Sequence, residues 1–227
     1  MRRQCSDCRH QKIRWLIHGF VLQLRARRCI VARMSKSAEP VPGHFHAVHF
    51  YENETSLCRT VADFLAEGFR DHQPGLVVAT NAHILGVLDQ LRARNFDVDR
   101  MQAAGELLLL DARGTLATFM ADGMPDAAAF TTIVPAIIER LRGDRSDRTV
   151  RAYGEMVDVL SKDGRTAAAI RLEVLWNQLA TTHAFSLLCG YAVGNFYKDA
   201  GMREIRAQHS HVIPSDSRRP PSVSHTH

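Results

Sequence analysis

Along the chain, short continuous apolar runs alternate with longer stretches in which apolar residues return every three or four positions. The first pattern suits strands covered on both faces, and the second suits amphipathic helices packed against them. Residues 44–51 (HFHAVHFY) predict a strand. Asn53 then caps a helix to about Gly68, with Leu57, Val61, Phe64 and Leu65 on one side. Residues 75–80 (GLVVAT) predict a second strand. Asn81 caps the next helix, striped by Ile84, Leu85, Leu88 and Leu91. Residues 105–111 (GELLLLD) predict a third strand and 115–120 a short helix. Pro125 and Asp126 open a long helix carrying Phe130, Ile133, Val134, Ile137, Ile138 and Leu141. A strand over 149–153, a helix over 166–182 and a strand over 184–191 complete the alternation.

Strands alternating with helices predict an α/β fold: a mostly parallel, three-layer sheet with helices on both faces and right-handed crossovers. Ligands in such sheets sit beyond the carboxyl ends of the strands. The residues to inspect there are Tyr51 and Glu52, His83, Asp111, Tyr153 and Glu155 with Arg151 beside them, and Tyr191.

A length of 227 residues with 45% hydrophobic composition suits one globular domain with tails. No apolar run reaches the roughly 18 residues of a membrane span. The cysteines at 5, 8, 29, 58 and 189 are odd in number and scattered. That argues against a disulfide framework and for a reducing, cytoplasmic setting.

Charge divides the chain unevenly. Residues 1–33 hold nine of the 29 basic groups and one of the 24 acidic ones. The body is left with 20 against 23, mildly acidic, which argues against direct nucleic-acid binding by the body. Residues 1–43 therefore read as a basic extension and linker. Ile13, Leu16, Ile17, Phe20 and Leu24 recur there at helical spacing, the pattern of a basic amphipathic helix able to lie on an anionic membrane. Cys5-x-x-Cys8 with His10 is half a zinc site without a recognisable second half. The polar run from Met34 reads as a natural start, so translation is expected to begin there. Residues 200–227, rich in His, Arg and Pro, predict a flexible tail.

Several blocks, in order, are familiar in combination: HAVHFYENE, DFLAEGF, GLVVAT-x-x-H, GELLLLDA-x-x-TL-x-x-FM, DGMPD, VRAYGEMVDVL, RLEVLWNQLA and FSLLCGY. Over residues 44–199 they resemble the MEDS domain, the methanogen/methylotroph sensory domain of bacteria and archaea. The resemblance implies a degenerate RecA/KaiC-like module without a functional P-loop. It implies a sensory, signal-transducing role, with a small organic ligand and a regulatory or kinase-type protein partner. Members are usually fused to an output domain, and the residues after 200 are too few to form one. A homo-oligomer is compatible with this reading.

The candidate chemistry fits a non-catalytic protein. Where a P-loop needs glycines and a lysine, the chain has Tyr51-Glu52-Asn53-Glu54-Thr55-Ser56, with carboxylates that repel phosphate. Asp111 reads either as a remnant Mg-type aspartate or as a turn-capping residue. No nucleophile–base pair is evident, and no cofactor or metal is expected. Cys189 reads as inert packing, and His44 and His46 as strand-start histidines facing water. Glu155 either lines a pocket or pairs with Arg151. Trp176 is expected in the core, with a pocket above it as the other reading. Asn177 is expected to make a buried hydrogen bond, with Glu173 one turn back as a partner. A filled site serving only protein interaction, or a weak nucleotide site, are the competing functions.

Overall fold

The computed structural model of the protein describes residues 16–17, 20–21, 45–143, 148–195 and 199–214. The chain divides into two units, 1–39 and 40–227. In the first, Leu16–Ile17 (β1) pairs antiparallel with Phe20–Val21 (β2). These four residues are thus not helical, contrary to the helical reading of their spacing. Two adjacent apolar pairs separated by two residues suit a tight hairpin as well as a helix. The rest of the extension, including Met34 and the Cys5–Cys8 pair, lies outside the described residues.

The second unit runs β3 (His46–Tyr51), α1 (Glu54–Arg70), β4 (Gly75–Ala79), α2 (Asn81–Arg92), α3 (Val98–Ala103) and β5 (Leu107–Asp111). It continues with α4 (Ala112–Ala117), the small hairpin β6 (Met120–Ala121) and β7 (Met124–Pro125), and α5 (Ala127–Arg142). Then follow β8 (Val150–Gly154), α6 (Met156–Lys162), α7 (Thr166–Ala180), β9 (Phe185–Ala192), α8 (Asp199–Ala207) and β10 (His211–Ile213). Side-chain caps start several helices: Asn53 accepts from the Ser56 N–H, Asp97 from Arg100 and Asp126 from Ala129. None of the helices among the described residues is long and apolar enough to cross a membrane.

Six strands form one sheet in the order β10-β3-β9-β8-β4-β5, and every neighbouring pair is parallel. The alternation of side chains along each strand sorts the core into two layers. Ala47, Val77, Leu107, Tyr153 and Leu188 pack with α1, α2 and α3. Val48, Leu76, Val150, Ala152, Leu187 and Cys189 pack with α4 to α8 on the other side. The crossover after β4 therefore leaves toward one face and the crossover after β8 toward the other. β4 and β8 are neighbours, so their carboxyl ends form the switch point where such sheets open a crevice.

Two expectations are corrected. The α2 stripe is rotated: His83, Val87, Leu88 and Leu91 face inward, while Leu85 is 62% exposed. The inward stripe includes a polar residue, His83, whose burial is matched by its contact with Glu155. The stretch after residue 200 is not a structureless tail through its first part. α8 buries Ile205 in the core, and β10 pairs with β3 to residue 213. One apolar residue per helix and a three-residue edge strand leave little periodicity to read.

Candidate functional site

Glu155 stands at the switch point. It follows β8 directly and precedes α6, and its backbone N–H donates to the Val78 carbonyl at 2.8 Å. Its carboxylate is buried and accepts from the Thr80 N–H at 2.9 Å and from Thr80 Oγ1 at 3.2 Å. His83, in the first turn of α2, places Nδ1 2.8 Å from Glu155 Oε1. Burial alone would push the carboxyl up and the imidazole down. The pair reverses both: His83 is held above its ordinary value and Glu155 below.

A second knot lies beside it. Tyr51 ends β3, and its hydroxyl donates to Asp158 Oδ2 of α6 at 2.8 Å. Lys162 Nζ lies 2.8 Å from the same oxygen and donates to the Tyr51 hydroxyl at 3.0 Å. The Ala192 N–H donates to Asp158 Oδ1 at 2.9 Å. Asp158 is fully buried, while Lys162 is partly open to solvent. Burial, with Asp158 adding to it, pushes the Tyr51 phenol far above its ordinary value, so it serves as a donor and not as a base. Tyr51 meets His83 edge-on at 6.1 Å, which joins the two knots. Deeper in the same layer lies Tyr153, whose buried hydroxyl has no hydrogen-bond partner. Gly190 on β9 makes room for it, since a Cβ there would sit 2.8 Å from the Tyr153 oxygen.

The other predicted residues scatter. Glu52 is exposed just past β3. Asp111 caps α4 by accepting from the Gly114 N–H, as the turn-capping alternative expected. Arg151 and Glu155 do not pair. Four residues of strand separate them by about 13 Å, so they belong to opposite edges of the sheet. Arg151 instead lies 3.1 Å from Glu67, donates to Gln73 and covers the Phe64 ring. Trp176 is core on the other face, edge-on to Phe130 and Phe185, and not beneath Glu155. Asn177 turns away from Glu173: its Oδ1 meets His46 Nδ1 at 2.8 Å, and its Nδ2 donates to the Gln208 carbonyl.

Tyr191 also faces that side and donates to Glu173 Oε1 at 2.8 Å. Glu173 is fully buried in mid-α7, with His46, Cys189 and His209 around it. His46, expected to face water, is fully buried because α8 and the loop into β10 cover it. Ser210 clamps its backbone, accepting from the His46 N–H and donating to its carbonyl. Glu173, Asp158 and Lys162 carried no periodic signal that marks them as site residues. A charged residue on the inward stripe of an apolar helix was the available clue for the first two.

A cleft of about 420 Å³ opens elsewhere, at the amino edge. Phe69, Phe96 and Met101 form its apolar walls, and Arg100, Glu106 and Arg148 are among its polar ones.

Compared with known protein families, residues 45–210 match the family described as MEDS: MEthanogen/methylotroph, DcmR Sensory domain. The match spans well over half of the chain, and the chain belongs to this family of sensory domains. No curated protein matches it.

Proposed function

We propose that this MEDS domain is a non-catalytic, cytoplasmic receptor for a small organic molecule, and that it signals through a regulatory or kinase-type protein partner. The observation that carries the reading is the Glu155–His83 pair at the switch point. A buried charge pair there stands ready to exchange one partner for a ligand that offers a hydrogen-bond donor. Lys162, at the solvent side of the neighbouring knot, is the group that moves first. The same edge disfavours phosphate, because Glu52, Glu54, Asp158 and Glu155 crowd it with carboxylates. ATP with magnesium is expected to bind no tighter than about millimolar, since the segment after β3 lacks the glycines and lysine of a phosphate loop and Lys162 is already engaged by Asp158.

A thermal-shift screen of small neutral and cationic organic molecules tests the reading. A cognate compound raises the melting temperature of the wild type. In Glu155→Gln its affinity falls at least about tenfold, the cost of a charged hydrogen bond. Micromolar ATP binding refutes the argument.

One observation favours a second reading, a protein-interaction module. The edge groups already satisfy one another, and Leu85 projects from α2 beside them. If no compound shifts the melt and Leu85→Glu abolishes capture of a purified partner, that reading replaces the first.

A further inference from the structure

The buried group around Glu173 is unlike the carboxyl-edge knots, because atoms of metal-ligand type converge in it from separate segments. Among the described residues it is the one place where His, Cys and carboxylate donors gather, all within 4.8 Å of one another. The hydrogen bonds outside the group define its inside. Asn177 uses its Nδ2 as a donor to Gln208, so its Oδ1 takes the Nδ1 proton of His46 at 2.8 Å. His209 Nδ1 lies 2.8 Å from the Ile205 carbonyl, which can only accept. Both imidazoles are thereby anchored through Nδ1 and turn Nε2 inward. His46 Nε2 then faces Glu173 Oε2 at 3.2 Å, and His209 Nε2 faces Glu173 Oε1 at 3.4 Å. A cation bound among these atoms would take the place of the protons they otherwise share.

The spacing suits a small tetrahedral cation. A tetrahedral zinc-type ion has bonds of about 2.0–2.2 Å to N or O and about 2.3 Å to S, so its ligand atoms stand about 3.3–3.6 Å apart. Cys189 Sγ is 3.5 Å from His46 Nε2 and 3.5 Å from Glu173 Oε2, and the two His–Glu distances lie close to the same range. Supporting groups are in place as well. Each histidine has its Nδ1 anchored, and Tyr191 holds Glu173.

We propose that His46, Glu173, Cys189 and His209 form a binding site for a divalent transition-metal ion of the zinc type. The ion would join β3, α7, β9 and the loop between α8 and β10. It would thereby pin the C-terminal segment to the sheet. Loading displaces the Cys189 thiol proton.

The test uses the full chain, stripped with a chelator under reducing conditions and titrated with cobalt(II). One equivalent should give a thiolate-to-cobalt charge-transfer band and the intense visible bands of a tetrahedral ion. Zinc should bleach both. Cys189→Ala should lose the charge-transfer band while staying folded. His209→Ala removes a ligand contributed by the covering loop and should weaken binding at least about tenfold, since even outer-shell changes cost that much. Absence of the charge-transfer band in the wild type overturns the site. So does a band that persists in folded Cys189→Ala, because its thiolate then comes from another cysteine. Should Cys189→Ala fail to fold, unchanged cobalt affinity in His209→Ala overturns the site by itself, and the expected loss supports it.

Discussion

Two buried glutamates, each answered by histidine, serve opposite ends of the same design. Glu155 closes a local gap: its partners Thr80 and His83 come from one strand end and the helix turn after it. Glu173 gathers groups from separate segments, His46, Cys189, Tyr191 and His209. Water reaches the neighbourhood of the first through partly exposed Lys162, while the side chains of Glu173 and His209 are fully enclosed. The contrast shows how one chemistry serves a solvent-side edge in one place and an enclosed junction of several segments in another. What differs is the number of independent segments that must move before the carboxylate meets solvent.

The sharpest way to break this contrast is Glu173→Ala. It leaves two imidazoles and a phenol buried without their common partner, so a loss of about 3–5 kcal/mol is expected. In a domain of this size that is roughly a 10 °C drop in melting temperature by calorimetry. A loss under about 1 kcal/mol would show that the cluster is not such a junction. Glu155→Ala should cost less, about 2–3 kcal/mol, because water can reach Thr80 and His83 once α2 relaxes. The two changes share no partner, so the double variant should lose the sum to within about 0.5 kcal/mol.

Legibility in the sequence follows the same division. Five of the six strands are legible in the sequence, and those over 75–80, 105–111 and 184–191 stand out as largely apolar runs, because a strand covered on both faces leaves that mark. Glu155, Tyr51 and His83 draw attention in the sequence because they stand at or just past strand ends, where the parallel-sheet rule directs the search. The sequence offers Glu173 only as a partner for Asn177 and places His46 toward solvent, whereas both are buried. Their surroundings depend on α8 and β10, whose single buried Ile205 and short pairing are too brief to show a period. Arg151 was misplaced for a simpler reason: four residues look adjacent in sequence but span a whole strand.

Acidity offers a finer test of the edge pair. Glu155, held below its ordinary 4.5, contributes fully above that value and loses the contribution as pH falls through its folded value. His83, held above its ordinary 6.5, contributes fully below 6.5 and loses it as pH rises through its folded value. The pair therefore stabilises most between 4.5 and 6.5. The stability difference between wild type and His83→Gln should reach about 1–2 kcal/mol in that window and shrink toward alkaline pH. Urea titrations at several pH values measure it, and a difference that grows above neutrality would show that the pair is not charged as described.

The smallest expected effect belongs to Tyr153→Phe. The Tyr153 hydroxyl is fully buried, lacks a hydrogen-bond partner and fits only because Gly190 has no side chain. An unsatisfied buried hydroxyl costs about 1–3 kcal/mol against its hydrated state, so deleting it should leave stability unchanged or raise it by up to about 1 kcal/mol. That result would also sharpen the division between edge and junction. Tyr153 lies in the layer beneath Glu155, where a ligand of the proposed kind, entering from the switch point, would supply the missing partner. Tyr153→Phe should then keep the fold intact while weakening the compound found by thermal shift about five- to tenfold, a hydrogen bond's worth of affinity. Loss of stability in this variant would mean that the hydroxyl is satisfied in solution, and that the layer beneath the edge is as closed as the one around Glu173.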